Sequence, residues 1–295
     1  MANGQDQAVE SAEAQAGRPA AHGAEARWRD LGPRIASGVA LGAVASGAIW
    51  AGGWWTTALV AAAALFMAWE YRSIVATRHG GFDARDWFFP PLVAAAPIAA
   101  HLAESAAVVA LGLLLAAGLT YAVDRAQGVK WRWSVPGLLF IAAAAASFVF
   151  LRDQPEYGFE ATVWLVVVVV ATDIGGYFAG RLIGGPKLAP RLSPKKTWAG
   201  LAGGGALAAL CGSLFSWATT GTYFYEVATV SLAAALVAQA GDLGESAFKR
   251  RFGVKDASKL IPGHGGALDR LDGLMAASLV AATVTFARGK EVFIW

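Results

Sequence analysis

Long uncharged runs, separated by short polar segments, set the plan of this chain. Ile35–Trp69 carries no Asp, Glu, Lys or Arg over 35 positions, and Thr197–Tyr225 carries none over 29. A helix needs about 20 apolar residues to cross a bilayer. Nine segments read as candidate spans: 35–51, 54–71, 88–103, 105–123, 134–151, 161–180, 199–218, 226–241 and 271–288. The pattern predicts an all-α polytopic membrane protein with about nine transmembrane helices. The pair Gly52-Gly53 splits the first apolar run and reads as a tight turn. Gly203, Gly204 and Gly205 read as a surface where two helices approach closely.

Polar segments fix the orientation. With the N-terminus on the cytosolic side and nine crossings, the tail, 72–87, 124–133, 181–198 and 242–270 share the inner face. They hold 21 basic residues, against three (Arg152, Arg288 and Lys290) on the outer face. Positive charge collects on the cytosolic side of membrane proteins. Residues 1–34 are polar and Ala-rich, lack a short apolar signal core, and read as a disordered cytosolic tail. His22 in that tail has no assigned role.

Composition agrees with this reading. The 295 residues are 56% hydrophobic and 15% charged, with a mean hydropathy of +0.48, whereas a soluble domain carries about 25% charged residues. The single Cys211 lies in an apolar run, so there is no disulfide framework and it reads as a small core residue.

Against so apolar a background, three polar constellations stand out. The first is Asp173, after a run of twelve uncharged residues from Ala161 to Thr172. An isolated carboxylate at membrane depth faces a polar cavity or a cation; pairing with Arg181 or with a helix dipole is the structural alternative. The second is Pro190–Gly200, PRLSPKKTWAG. There Ser193, Lys195, Lys196 and Thr197 precede a helix start, where free amides and the helix dipole favour phosphate. A plain positive flank that holds topology is the competing reading. The third is Gly241–Gly273, with four aspartates, one glutamate, three lysines, three arginines and one histidine. Asp242 closes one span, while Asp269 and Asp272 open the next and share a helix face. Carboxylates crowded at a membrane edge repel unless a cation sits among them, and hard oxygen ligands suit Mg²⁺. Lys249, Arg250, Arg251, Lys255 and Lys259 between them suit a polyphosphate. His264 lies in a Gly-rich turn that lets a ligand approach the backbone. A solvated loop of surface ion pairs is the alternative for this block.

No P-loop, Rossmann fingerprint, zinc site or nucleophile elbow is present, so no covalent intermediate is suggested. The residues alone point to metal-dependent phosphoryl or nucleotidyl transfer onto a lipid head group. On that basis residues 35–160 form an N-terminal set of transmembrane helices and residues 161–295 a C-terminal catalytic transmembrane region.

The stretch Ser246–Asp272, SAFKRRFGVKDASKLIPGHGGALDRLD, resembles the signature of the phosphatidate cytidylyltransferases. The resemblance rests on Ser246, Lys249-Arg250, Lys255-Asp256, Pro262, His264-Gly265-Gly266, Asp269-Arg270 and Asp272. The upstream DIGGYFAGRLIGGPKLAPRLSPKKTWAG is similar to that family's other block. Ala199, Ala267 and Gly273 depart from the expected pattern without removing a charged or hydroxyl group. The resemblance implies CTP and phosphatidate as substrates, CDP-diacylglycerol and diphosphate as products, and Mg²⁺ as cofactor. It implies Asp242 and Asp269 as first metal ligands, with Asp272 and Asp173 next. Lys249, Arg250 and Lys255 would hold the triphosphate. Asp256, His264 and Arg270 join the catalytic set. Ser193, Lys195, Lys196, Thr197 and Ser246 would bind substrate. It further implies an inner-membrane enzyme with its site facing the cytosol; similar families form homodimers, which the Gly/Ala-rich helices permit. No nucleic-acid partner is expected. A CTP-dependent enzyme acting on an isoprenoid lipid is the nearest alternative. An ion-coupled transporter is a further one, but neither polar block recurs as an internal repeat.

Overall fold

A computed structural model describes residues 31–103, 105–221 and 224–294. Most of the expected tail lies outside the described residues, but its last four residues already belong to a helix. Among the described residues, nine α-helices occupy the nine apolar segments. They are α1 (Leu31–Ala51), α2 (Gly53–Ala76), α3 (Phe89–Leu102), α4 (Ala106–Gln127), α5 (Trp131–Arg152), α6 (Gly158–Leu182), α7 (Trp198–Thr220), α8 (Phe224–Phe252) and α9 (Leu268–Arg288). Seven of them, α2 and α4–α9, are long and apolar enough to cross a membrane; α1 adds the shorter apolar stretch Ile35–Ala51. α3 has 14 residues with Pro97 inside it, or about 21 Å at 1.5 Å per residue, less than the roughly 30 Å hydrocarbon core. The chain is an integral membrane protein whose described residues are mostly helical, with little strand.

Two differences from the sequence reading matter for the site. Residues 242–252, expected in a polar loop, continue α8 for about three more turns, giving a helix of 29 residues. Lys249, Arg250 and Arg251 occupy its last turn, where positive charge suits the helix dipole. The segment 181–198 also holds more than a loop: β1 (Lys187–Ala189) and β2 (Ser193–Thr197) pair as an antiparallel hairpin.

The alternating direction of the helices separates the two ends of the bundle. At one end, Arg152 of α5 donates to Ile49 O of α1 (2.7 Å), His101 meets Asp153 (2.7 Å), and the Glu291 carboxylate accepts from the Glu156 and Tyr157 amides before α6. Gly52 turns the chain there with φ +69°, and a Cβ on it would lie 2.5 Å from the Arg152 guanidinium. At the other end, Tyr71 stacks on Phe248 (4.2 Å), its hydroxyl donates to Trp133 O (2.6 Å), and Arg251 lies over Trp133. The hairpin and the α8–α9 connection belong to this second end.

Glycine lets α6 and α7 approach backbone to backbone. A Cβ at Gly175 would lie 2.6 Å from Gly203 O, one at Gly204 2.6 Å from Thr172 O, and one at Gly200 2.9 Å from Gly176 O. Gly205 instead faces Leu232 of α8. One apolar core joins α5, α6, α7, α8 and α9 around Trp164, with Cys211 packed against it; a second joins α2, α3, α5 and α9 around Phe89 and Ile141. α4 is the most peripheral span, with Val108, Leu111, Leu114, Leu115 and Leu119 exposed.

Candidate active site

Three of the polar residues converge where α8 meets α9. Carboxylate oxygens of Asp242, Glu245 and Asp272 all lie within 4.8 Å of one another. Asp242 and Glu245 are three apart on α8 and therefore share a face; Asp272 comes from the first turns of α9. Close approach here needs a small residue, because a Cβ at Gly241 would sit 2.7 Å from the Ala276 Cβ and 3.1 Å from Asp272 O.

Two lysines flank this group. Lys196, from the end of β2, pairs with Asp242 at 2.5 Å. Lys249 pairs with Glu245 at 2.7 Å and with Asp269 at 2.6 Å, so it ties α8 to α9. Asp269 also accepts from the amides of Ala257 (2.9 Å) and Gly266 (3.0 Å). Both its oxygens are thus taken up in shaping the α8–α9 connection, and it stands outside the three-carboxylate group.

The hairpin presents the remaining residues of the second constellation. Thr197 is buried, and its Oγ1 accepts from Gly200 N at 3.0 Å, which caps α7. Lys195 is exposed, and Ser193 half-buried. Beneath the hairpin lies a cavity of about 410 Å³ lined by Asp173, Tyr177, Arg181, Lys195, Lys196 and Gln239 among others. Asp173 therefore shares a wall with both lysines. Arg181 donates to the Tyr177 hydroxyl (2.8 Å).

In the α8–α9 connection, His264 Nδ1 lies 3.1 Å from Ser37 Oγ of α1, and Arg270 Nε donates to His264 O at 2.7 Å. Arg250, Lys255 and Asp256 are exposed, and Ser246 is half-buried on α8. None of the four touches the carboxylate group through a described ion pair.

Sequence reasoning passed over two acids. Glu245 escaped although its spacing from Asp242 matches that of Asp269 and Asp272. Glu70 escaped because it stands alone at the end of an apolar span. The structure places it fully buried, accepting from Ser258 Oγ (2.5 Å), Ala267 N (3.0 Å) and Leu268 N (2.7 Å).

The donor set suits a hard divalent cation: three carboxylates within reach of one ion and no thiolate or imidazole among them, with Lys196 linking Asp242 to the cavity it lines. A membrane protein with such a group at one end of its bundle, next to a lysine-lined cavity, has the parts for phosphate-transfer chemistry at a lipid surface. Comparison with known proteins specifies the class. The cytidylyltransferase family model matches residues 32–287, and the chain belongs to that family; it is a nucleotidyltransferase. Phosphatidate cytidylyltransferase of Brucella suis biovar 1 is 37% identical over 249 residues, covering 84% of this chain and 91% of the relative. The Helicobacter pylori enzyme of the same name is 40% identical over 142 residues, covering 48% of this chain and 53% of the relative. That of Pseudomonas aeruginosa is 39% identical over 166 residues, covering 55% and 60%.

Proposed function

We propose that the chain transfers the cytidylyl group of CTP to phosphatidate, yielding CDP-diacylglycerol and diphosphate. The observation that carries this reading is the Asp242–Glu245–Asp272 group, with Lys196 and the hairpin cavity beside it. Family membership and the names of the relatives support the nucleotide and the lipid. In this reading all nine helices cross, the short α3 where the bilayer thins around it, with the N-terminus and the site end in the cytosol, an orientation that the 21-to-3 distribution of basic residues supports. In a bacterium this is the inner membrane. The small-residue helix faces are compatible with a homodimer.

Asp242, Glu245 and Asp272 would hold Mg²⁺, with Asp173 across the cavity. Bound there, the ion would neutralise charge on the triphosphate and on the diphosphate that departs. Lys196 and Lys195 would meet a phosphate entering from the hairpin side, while Arg250 and Lys255 face the solvent from which the triphosphate arrives. Lys249, held by Glu245 and Asp269, fixes the distance between α8 and α9. An ionised phosphate monoester needs no strong general base: its oxygen attacks the α-phosphorus as the α–β P–O bond breaks and diphosphate leaves.

Purified chain in mixed vesicles, given labelled CTP and either phosphatidate or a polyprenyl phosphate, tests the reading. CDP-diacylglycerol formed only with phosphatidate and Mg²⁺ is expected. Label appearing only on the polyprenyl lipid would replace the acceptor.

A further inference from the structure

We propose that Glu70, on the N-terminal side of the bundle, is a positioning residue for the carboxylate group through the start of α9. Helix α9 begins without a cap of its own. Its N-cap residue is Ala267, which has no side-chain oxygen to offer the first free amides. Glu70 fills that role from almost two hundred positions away. One oxygen accepts from Ala267 N and Ser258 Oγ, and the other accepts from Leu268 N. The carboxylate is 0% exposed. A negative group at a helix N-terminus is stabilised by the helix dipole as well as by its hydrogen bonds.

The neighbouring chain is shaped around this acid. A Cβ added at Gly266 would lie 2.6 Å from Glu70 Oε1 and 2.9 Å from its other carboxylate atoms. On the same turn, Asp269 gathers Ala257 N, Gly266 N and Lys249. Glu70 thus anchors both sides of the α8–α9 connection, through Ser258 and through the α9 terminus. Asp272 follows Leu268 by one helical turn, so a shift of the α9 terminus moves Asp272 relative to Asp242 and Glu245. Glu70 has no described contact with those three carboxylates. Its influence passes through the backbone of α9.

Groups hydrogen-bonded directly to metal ligands alter metal affinity or activity by about 10–100-fold when changed, and Glu70, acting one step further out through the α9 backbone, is expected at the lower end of that range. The test compares Glu70→Gln with the unsubstituted full chain in detergent, reading Mn²⁺ binding by electron paramagnetic resonance without substrate, and then kcat and KM for CTP. Glu70→Gln keeps the shape but turns an amide NH₂ towards backbone donors. The expected result is about a tenfold weakening of Mn²⁺ binding and a matching fall in kcat, with KM for CTP changed less. Gly266→Ala is the second variant. It leaves the charge in place and pushes the loop off Glu70, so it should weaken Mn²⁺ binding in the same direction. Glu70→Asp should recover part of the loss. Unchanged Mn²⁺ binding in a folded Glu70→Gln or Gly266→Ala chain overturns the proposal. So does a loss confined to thermal stability. The assignment of CTP and phosphatidate can fail without affecting this outcome, because Mn²⁺ binding is read without either.

Discussion

Two charged clusters lie at the same end of the bundle, and they are built in opposite ways. Around Arg72, every guanidinium nitrogen has a partner: Nε to Asp86 (2.6 Å), Nη1 to Asp124 (2.8 Å) and Ser134 (2.6 Å), and Nη2 to Gln127 (3.0 Å). The guanidinium also lies over the Phe89 ring. Its side chain is 1% exposed and that of Asp124 is 0%. The cation sits between its anions, sealed from solvent. Around Asp242 the order is reversed. Anions face one another, the lysines sit at the edges, the Asp242 side chain is 38% exposed, and a cavity opens beside Lys196. Opposite charges interleaved and sealed hold helices together. Like charges converging beside a cavity invite a cation from outside.

Substitutions that affect one quantity and spare the other test this contrast. The largest effect is expected for Asp272→Asn, with turnover falling on the order of 10²-fold or more. Its thermal melting should stay close to that of the unsubstituted chain, as judged by paired activity and unfolding measurements. A large drop in melting temperature would move Asp272 into the structural class with Arg72. Arg72→Met should do the reverse. It strands Asp86 and Asp124 without their cation, and breaking a buried pair costs about 3–5 kcal/mol. Material that still folds should keep its KM for CTP. A melting curve unchanged by Arg72→Met would show that the cluster does not hold α2, α4 and α5 together.

Much of the architecture was legible because the membrane imposes it. Runs without charge predicted the helices, and Gly203–Gly205 predicted close packing, since only small residues let backbones meet in lipid. Asp242, Asp272 and Lys196 were visible as charges out of place. The limits of reading were also physical. Where α8 leaves the apolar layer, its helix continues into a charged segment, and hydropathy alone ended the span at 241. Asp269 was read by spacing as equivalent to Asp272, yet one turn of helix separates an acid held by amides from one held near other acids. Glu70 and Arg72 meet their partners only through the tertiary fold, from 14 to 198 positions away, and nothing local marks either.

The central claim is that the divalent ion belongs to Asp242, Glu245 and Asp272. Its most direct test is Mn²⁺ binding to the purified chain, comparing the combined Asp242→Asn, Glu245→Gln, Asp272→Asn variant with Asp269→Asn. Loss of the bound-ion signal in the first and a weakened but surviving signal in the second is the expected result. A full signal in the triple variant, or its abolition by Asp269→Asn alone, would contradict the account.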